Sequence, residues 1–224
     1  MMKKSKTQQI EIYVKSIMPR TGVHDFEHVN RARRLALAIA AKEGYKDTQA
    51  VEAASLLHDI GYYLTSDEKD HGQTGSVTAA KYLKENGFFT GDQIREIAHA
   101  IKHHCSNRGG DGKLLDILRD ADMIESFGAT GIMRCLDFKA PIPLYDPENV
   151  KGETWGMKAV DFNKRIDSGI GVGEFIVDQL NFQISWYDNL ATETARRFVK
   201  PLVQFLKDYI LQLEKENDQW RFIE

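Results

Sequence analysis

Only two cysteines occur in 224 residues, Cys105 and Cys135, and they form neither a CxxC pair nor a disulfide framework. No stretch approaches the roughly 20 uninterrupted apolar residues of a membrane-spanning helix. After Met-Met-Lys-Lys-Ser-Lys-Thr-Gln comes Ile10-Glu11-Ile12, not the apolar run of a secretory signal. Cytoplasmic residence is the expectation. Neither charge sign dominates: 30 basic and 33 acidic residues leave a formal net charge of -3, which gives no overall pull towards nucleic acid or an anionic membrane. Basic runs interleaved with aromatics are also missing, which removes the usual signature of nucleic-acid strand binding. Period-two alternation is nearly absent, so a sheet-based fold is not expected. Internal repeats and low-complexity tracts are lacking too.

What is present is helical periodicity in a chain whose 42% hydrophobic content can bury a sizeable core. The length fits one domain over 1–224. From His28 to Glu43, the residues Val29, Ala32, Leu35, Ala36, Ile39 and Ala40 recur at three- and four-residue steps, and Gly44 supplies a stop. Asp47 or Thr48 can cap a second helix that runs into His58-Asp59 just before Gly61. Thr74–Glu85 reads as a third helix. Thr90-Gly91-Asp92-Gln93 has capping-box spacing ahead of a fourth, which ends in His103-His104. A fifth begins at Leu114 and carries Asp120, Asp122 and Glu125. The segment 140–152 holds three of the five prolines and reads as a loop. It divides a core at about 20–140 from C-terminal helices at about 153–218. Those helices are expected at roughly Gly173 to Leu190 and Ala191 to Glu216, the second with a stripe of Phe198, Leu202, Phe205, Leu206, Tyr209, Ile210 and Leu213. The fold class expected is therefore all-α.

Four residues stand out on this frame: His28, the pair His58-Asp59, and Asp122. Asp59 follows the apolar run Ala53-Ala54-Ser55-Leu56-Leu57, and a carboxylate entering a core needs a cation or several donors to offset its desolvation. Asp120 and Asp122 are two negative charges on one half-buried helix, which again calls for a nearby positive charge or a salt bridge with Arg119. Histidine nitrogens and carboxylate oxygens in this number can hold one divalent ion and leave it open to water.

In its motifs the chain resembles the HD-domain superfamily of metal-dependent phosphohydrolases. His24-Asp25-Phe26-Glu27-His28 is similar to that family's opening segment, Leu57-His58-Asp59-Ile60-Gly61 to its signature, and the run Asp120–Ile132 to its late Asp-Ala-Asp segment. The tail with Thr192-Glu193-Thr194-Ala195-Arg196 resembles the C-terminal helices of a bacterial branch. The resemblance implies an all-helical core in which His28, His58, Asp59 and Asp122 ligate a divalent transition metal (manganese, iron, cobalt, nickel or zinc). It implies Asp120 as an outer acceptor, and His71, His103 and His104 as sites for a second ion or for phosphate. The implied reaction is hydrolysis of a small phosphorylated substrate, a nucleotide or related phosphate ester or anhydride, with Asp59 or Asp120 taking a proton from the attacking water.

Two positions depart from the family pattern. Tyr62 stands where some branches have lysine or glutamate, and Met123 where relatives often carry arginine. The cation that contacts substrate is then sought at Arg31, Lys102, Arg108 or Arg134. Phe88, Phe89, Trp155, Tyr62 and Tyr63 are available to stack on a base, although core packing is the commoner use. The extra histidines keep open a di-iron oxygenase, and the two departures keep open a non-catalytic sensor. A homo-oligomer is also left open. Gly169-Ile170-Gly171-Val172-Gly173 lacks both the spacing and the preceding strand of a phosphate loop, and reads as a connection between helices.

Overall fold

The computed structural model describes residues 4–19, 22–67, 70–105 and 109–219. Among these it is all-α: ten helices, two short 3-10 turns and no strand, with one isolated bridge between Asp146 and Asn149. Two compact units are formed, Met1–Asp122 and Met123–Glu224. No described helix is long and apolar enough to cross a membrane.

The first unit contains α1 (Lys6–Ile17), α2 (Phe26–Lys42), α3 (Thr48–Leu57), a 3-10 turn (Ile60–Tyr63), α4 (His71–Glu85), α5 (Gly91–His103) and most of α6 (Lys113–Ile124). Local chemistry fixes the ends. Ser5 and Gln8 close a capping box on α1, and Thr90 and Gln93 close one on α5. Asp25 caps α2 by accepting from His28 N at 2.9 Å, and Asp47 caps α3 through Ala50 N at 3.0 Å. Gly44 (φ +70°) ends α2, as its sequence position predicts. Of the stripe expected for α2, Val29, Ala32, Ala36, Ile39 and Ala40 are buried and Leu35 is half-buried. The pairs α4 with α5, α2 with α3, and α1 with α3 pack together, as does the 3-10 turn with α4.

That last contact depends on glycine. A Cβ on Gly61 would overlap the carbonyl oxygen of His71, and one on Gly72 would stand 2.7 Å from the carbonyl oxygen of Lys102. Neither position has room for a side chain, so the turn after His58-Asp59 lies against the start of α4, and α4 lies against the end of α5.

The second unit contains α7 (Gly128–Lys139), α8 (Ala159–Asp167), α9 (Ile176–Ser185), a 3-10 turn (Trp186–Asn189) and α10 (Glu193–Gln219). α9 packs on α7, α8 and α10. Helices α1, α7 and α8 were not expected from the sequence. Of the two expected C-terminal helices the first is observed shorter, because Phe175 opens α9 and its regular hydrogen bonding gives way to the 3-10 turn at Trp186, and the second is shifted by two to three residues towards the C-terminus. On α10 the predicted stripe is only partly buried: Leu206 and Ile210 are inside, Leu202, Tyr209 and Leu213 are half-buried, and Phe198 and Phe205 are 52% and 45% exposed. The glycines at 169, 171 and 173 all have positive φ and lie in the link between α8 and α9.

Candidate metal centre

Each candidate ligand is set by a helix end. His28 sits in the first turn of α2, held there by the Asp25 cap. His58 is the C-terminal cap of α3 and His104 that of α5. In both, Nδ1 lies against the carbonyl oxygen three residues earlier: Ser55 O at 2.7 Å and Ile101 O at 2.6 Å. A carbonyl only accepts, so each Nδ1 carries a proton and donates it. The opposite nitrogen, Nε2, faces the centre. Arg119 of α6 donates Nε and Nη2 to the carbonyl oxygen of His103, at 3.0 and 2.8 Å. It thus closes the end of α5 through backbone carbonyls, three residues before Asp122.

The side chains converge on Asp59, which is 1% exposed. Its Oδ2 lies 2.8 Å from His24 Nδ1, 3.3 Å from His28 Nε2 and 3.3 Å from His58 Nε2, while its Oδ1 lies 3.2 Å from His104 Nε2. Asp122 Oδ1 is 3.2 Å from His28 Nε2 and 3.8 Å from His58 Nε2. Among the described residues four groups of donor atoms result: His28, His58 and Asp122; His24, His28 and Asp59; His58, Asp59 and His104; and His71, His104 and Cys105.

Electrostatics explain how such a cluster holds together. Burial alone would raise the Asp59 carboxyl, but the charge on His58 and hydrogen bonds from His104, His24 and His28 hold it well below the usual carboxylate range. Asp122 is likewise lowered: burial opposes it, and a hydrogen bond from His28 with the charges on His58 and His28 overcomes that. His104 moves the other way. Burial disfavours its cation, yet the Asp59 hydrogen bond and charge raise it above the ordinary imidazole range.

One atom tests whether a cation fits. His58 Nε2 is buried and has no hydrogen-bond partner, although carboxylate oxygens of Asp59 and Asp122 stand within 4 Å. In the neutral ring that a metal ligand requires, with the single proton on Nδ1, this nitrogen presents a lone pair towards two anions. A divalent ion shared by the three groups would remove that repulsion and satisfy the lone pair. The donor set of imidazole nitrogens and carboxylate oxygens suits such an ion.

The four expected ligands are therefore brought together, with His104 and His71 beside them. His103 is not: its ring packs against His99, with centroids 4.7 Å apart, and against the Gly110 backbone. Asp120 is fully buried on α6 and supplies no atom to the four groups. Lys102 is exposed and Arg31 half-buried, while Arg108 lies outside the described residues. Arg134 belongs to the second unit.

Two contributors escape sequence reasoning, His24 and Cys105. His24 precedes the α2 cap, so no helical spacing links it to His28. Its place in the opening motif His24-Asp25-Phe26-Glu27-His28 is the one available signal. Cys105 follows His104, and a lone thiol without a CxxC partner carries no ligand signal in the sequence. Of the aromatics, Tyr62 stacks between His24 (4.0 Å) and His71 (3.8 Å), and Phe88 is core beside Tyr82. Tyr63 donates its hydroxyl to His24 O at 2.9 Å.

Comparison with known proteins agrees with the all-α fold. A family model for the HD domain matches residues 25–126. Protein L803 of Acanthamoeba polyphaga mimivirus is 28% identical over 155 residues, with 60% of this chain covered, and the chain spans 61% of that protein's length. YpgQ of Bacillus subtilis is 25% identical over 223 residues, covering 94% of this chain and 93% of YpgQ. A crystal structure of YpgQ in complex with ADP superposes with a TM-score of 0.65 at 23% identity, over 94% of both chains. An HD-superfamily hydrolase of Bacillus thuringiensis gives 0.65 at 21% identity, over 94% of this chain and 96% of that one.

Proposed function

We propose that this chain, whose residues 25–126 match the model of the HD domain, is a metal-dependent phosphohydrolase of small phosphorylated compounds, nucleotides foremost. The observation that carries this reading is the buried His58 Nε2, whose lone pair faces Asp59 and Asp122 among further imidazoles. His28, His58, Asp59 and Asp122 would hold the ion, which supplies Lewis acidity towards a phosphoryl oxygen and towards water. The ADP bound to YpgQ supports a nucleotide as the substrate class.

The chain's own residues divide the remaining work. Asp59 stays anionic under its four imidazoles, which makes it a firm ligand and a weak base. His24 is better suited to proton transfer: its Nδ1 is held by Asp59 at 2.8 Å, and its side chain is 21% exposed. Asp120, buried on α6, serves as the outer acceptor that orients a ligand. Arg31 and Lys102, both reaching solvent, are the proposed contacts for substrate phosphate.

The test is direct. Protein stripped and reloaded with manganese, cobalt or nickel is assayed for phosphate or pyrophosphate release from a nucleotide panel. Release that is abolished in Asp59→Ala supports the reading, and absence of release at full metal stoichiometry moves the assignment to a sensor. A second reading, a two-iron oxygenase, is favoured by the additional donors His71, His104 and Cys105. A visible absorption band with oxygen uptake and no phosphate release would select it.

A further inference from the structure

Helix α10 carries two apolar stripes side by side. Ala195, Val199, Leu206 and Ile210 are buried, and the helix packs on α7, on α9 and on the 3-10 turn that follows α9. Beside that face, Phe198, Leu202, Phe205 and Tyr209 follow one another at steps of four, three and four residues. At 100° per residue they fall within a stripe about 60° wide. Phe198 and Phe205 are exposed, and Leu202 and Tyr209 are half-buried. This spacing is that of a seam between two packed helices, and phenylalanines held open to water along such a seam mark a surface that a partner covers.

The charges say which partner. Arg196, Arg197, Lys200 and Lys207 lie in the N-terminal part of α10 with Glu193 as its one acid, whereas Asp208, Glu214, Glu216 and Asp218 lie in the C-terminal part with Lys215 as its one cation. The helix's own dipole favours the opposite order, anions at the start and cations at the end. Contacts within the chain do not account for it either. Arg197 meets Glu193 at 3.5 Å with both side chains about three-quarters exposed, a pair of small worth. Glu214 meets Lys151 at 2.9 Å, and Asp208 accepts from Gln204 Nε2 at 2.9 Å. A second α10 running the other way does suit the order, since its acidic end then lies beside the basic start of the first and the two dipoles oppose. The acidic end also speaks against an anionic membrane as the occupant.

We infer that this face of α10 is a self-association surface on which a second copy of the chain docks antiparallel about a two-fold axis. With the axis between Val203 and Gln204, Phe198 stands opposite Tyr209 of the second copy and Leu202 opposite its Phe205, and symmetry repeats each pair. Arg197 then lies within one helical turn of Asp208 of the second copy. A seam of four layers is smaller than a standard interface of about 1,600 Å², which sets the expected dissociation constant in the micromolar range.

The experiment is sedimentation velocity on the full chain, from low micromolar to a few hundred micromolar, with a chelator present so that the metal centre plays no part. The expected result is a shift from the 25.5 kDa monomer to twice that mass as concentration rises. Phe198→Glu combined with Phe205→Glu should abolish the shift. Arg197→Glu and Asp208→Arg should each raise the dissociation constant about tenfold. The two together should restore it, because the exchange recreates both pairs across the axis, whereas within one helix the two positions are about 16 Å apart. Thermal melts check that each variant is folded, and should the phenylalanine variant unfold, the charge exchange at exposed Arg197 and Asp208 decides alone. A monomer across the whole range overturns the proposal, whether or not it binds phosphatidylglycerol vesicles. Association that survives the phenylalanine changes overturns it too, as does a double exchange that stays as weak as either single one.

Discussion

Replacing Gly61 by alanine would test the architecture beneath the metal centre without touching a ligand. The added Cβ would overlap the His71 carbonyl oxygen and stand 2.7 Å from that carbonyl carbon and 2.8 Å from Gly75 N. All three obstacles are backbone, so no rotamer relieves them. The 3-10 turn and the start of α4 must separate by about 1 Å to regain van der Waals distance. Overpacking of this kind costs about 3 kcal/mol, the upper end of its usual range. In a chain of this size that lowers the melting temperature by about 6–12 °C. The turn is continuous with Asp59, and α4 begins at His71, so ligand positions shift beyond the roughly 0.5 Å that a preorganised site tolerates. Affinity for manganese or cobalt should fall about 10–100-fold, as when an orienting partner of a ligand is lost. Gly87→Ala is the control: its φ of +61° makes alanine strained, but nothing lies within 4 Å of the added atom. It should cost about 1 kcal/mol and leave metal affinity unchanged. Calorimetric metal titration and thermal melts on both variants decide the issue. Wild-type affinity in a Gly61→Ala protein of unaltered stability would refute the reasoning.

Adjacent histidines offer a second test: His104→Ala should weaken metal binding at least about tenfold, whereas His103→Ala, whose ring faces His99, should leave it unchanged in the same titration. In metal-free protein His104 is raised by Asp59, so its contribution to stability is complete below the unfolded imidazole pKa of about 6.5 and is lost as pH rises through the folded value. As a further donor beside the four proposed ligands, His104 would have to be deprotonated, so melts from pH 6 to 8 should show the difference between loaded and stripped protein widening; a constant difference would argue against such a role for His104. In the second unit, Asp178 accepts from Thr154 N (3.2 Å), Thr154 Oγ1 (2.7 Å) and Phe175 N (3.3 Å) while fully buried. Asp178→Ala strands those donors and should destabilise the chain by about 3 kcal/mol in denaturant unfolding; a loss below about 1 kcal/mol would show that water replaces the carboxylate.

The sequence made most of the first unit legible, because its stops and caps are local. Gly44, Asp47 and the Thr90–Gln93 box act within one helical turn, and each is found in its expected role. Helix α1 was missed because only Ile10 and Val14 of its twelve residues are buried, too few to print a period. α8 begins at Lys158 without a side-chain cap, and α7 begins beside Gly128 and Gly131, which read as breakers. At the site, His-Asp and Asp-Ala-Asp are contiguous and readable. The choice between His103 and His104 is not, since neighbours on a helix point about 100° apart and only packing sets the phase. The sequence offers Arg119 as a salt-bridge partner for its own helix, but in the structure it joins backbone carbonyls of His103 and Gly109. Nothing in linear order places His24 or Cys105 beside residues dozens of positions away.

The imidazoles of His58 and His104 each spend one nitrogen on a carbonyl that the last turn of a helix would otherwise leave bare. Termination of the helix and choice of tautomer are thereby a single event. An incoming cation meets nitrogens whose protons were already assigned by the peptide chain, so little rotational freedom remains to be lost on capture. Swapping either ring for a thiol or carboxylate would uncap a helix as well as alter a ligand, which ties the identity of these donors to the secondary structure itself.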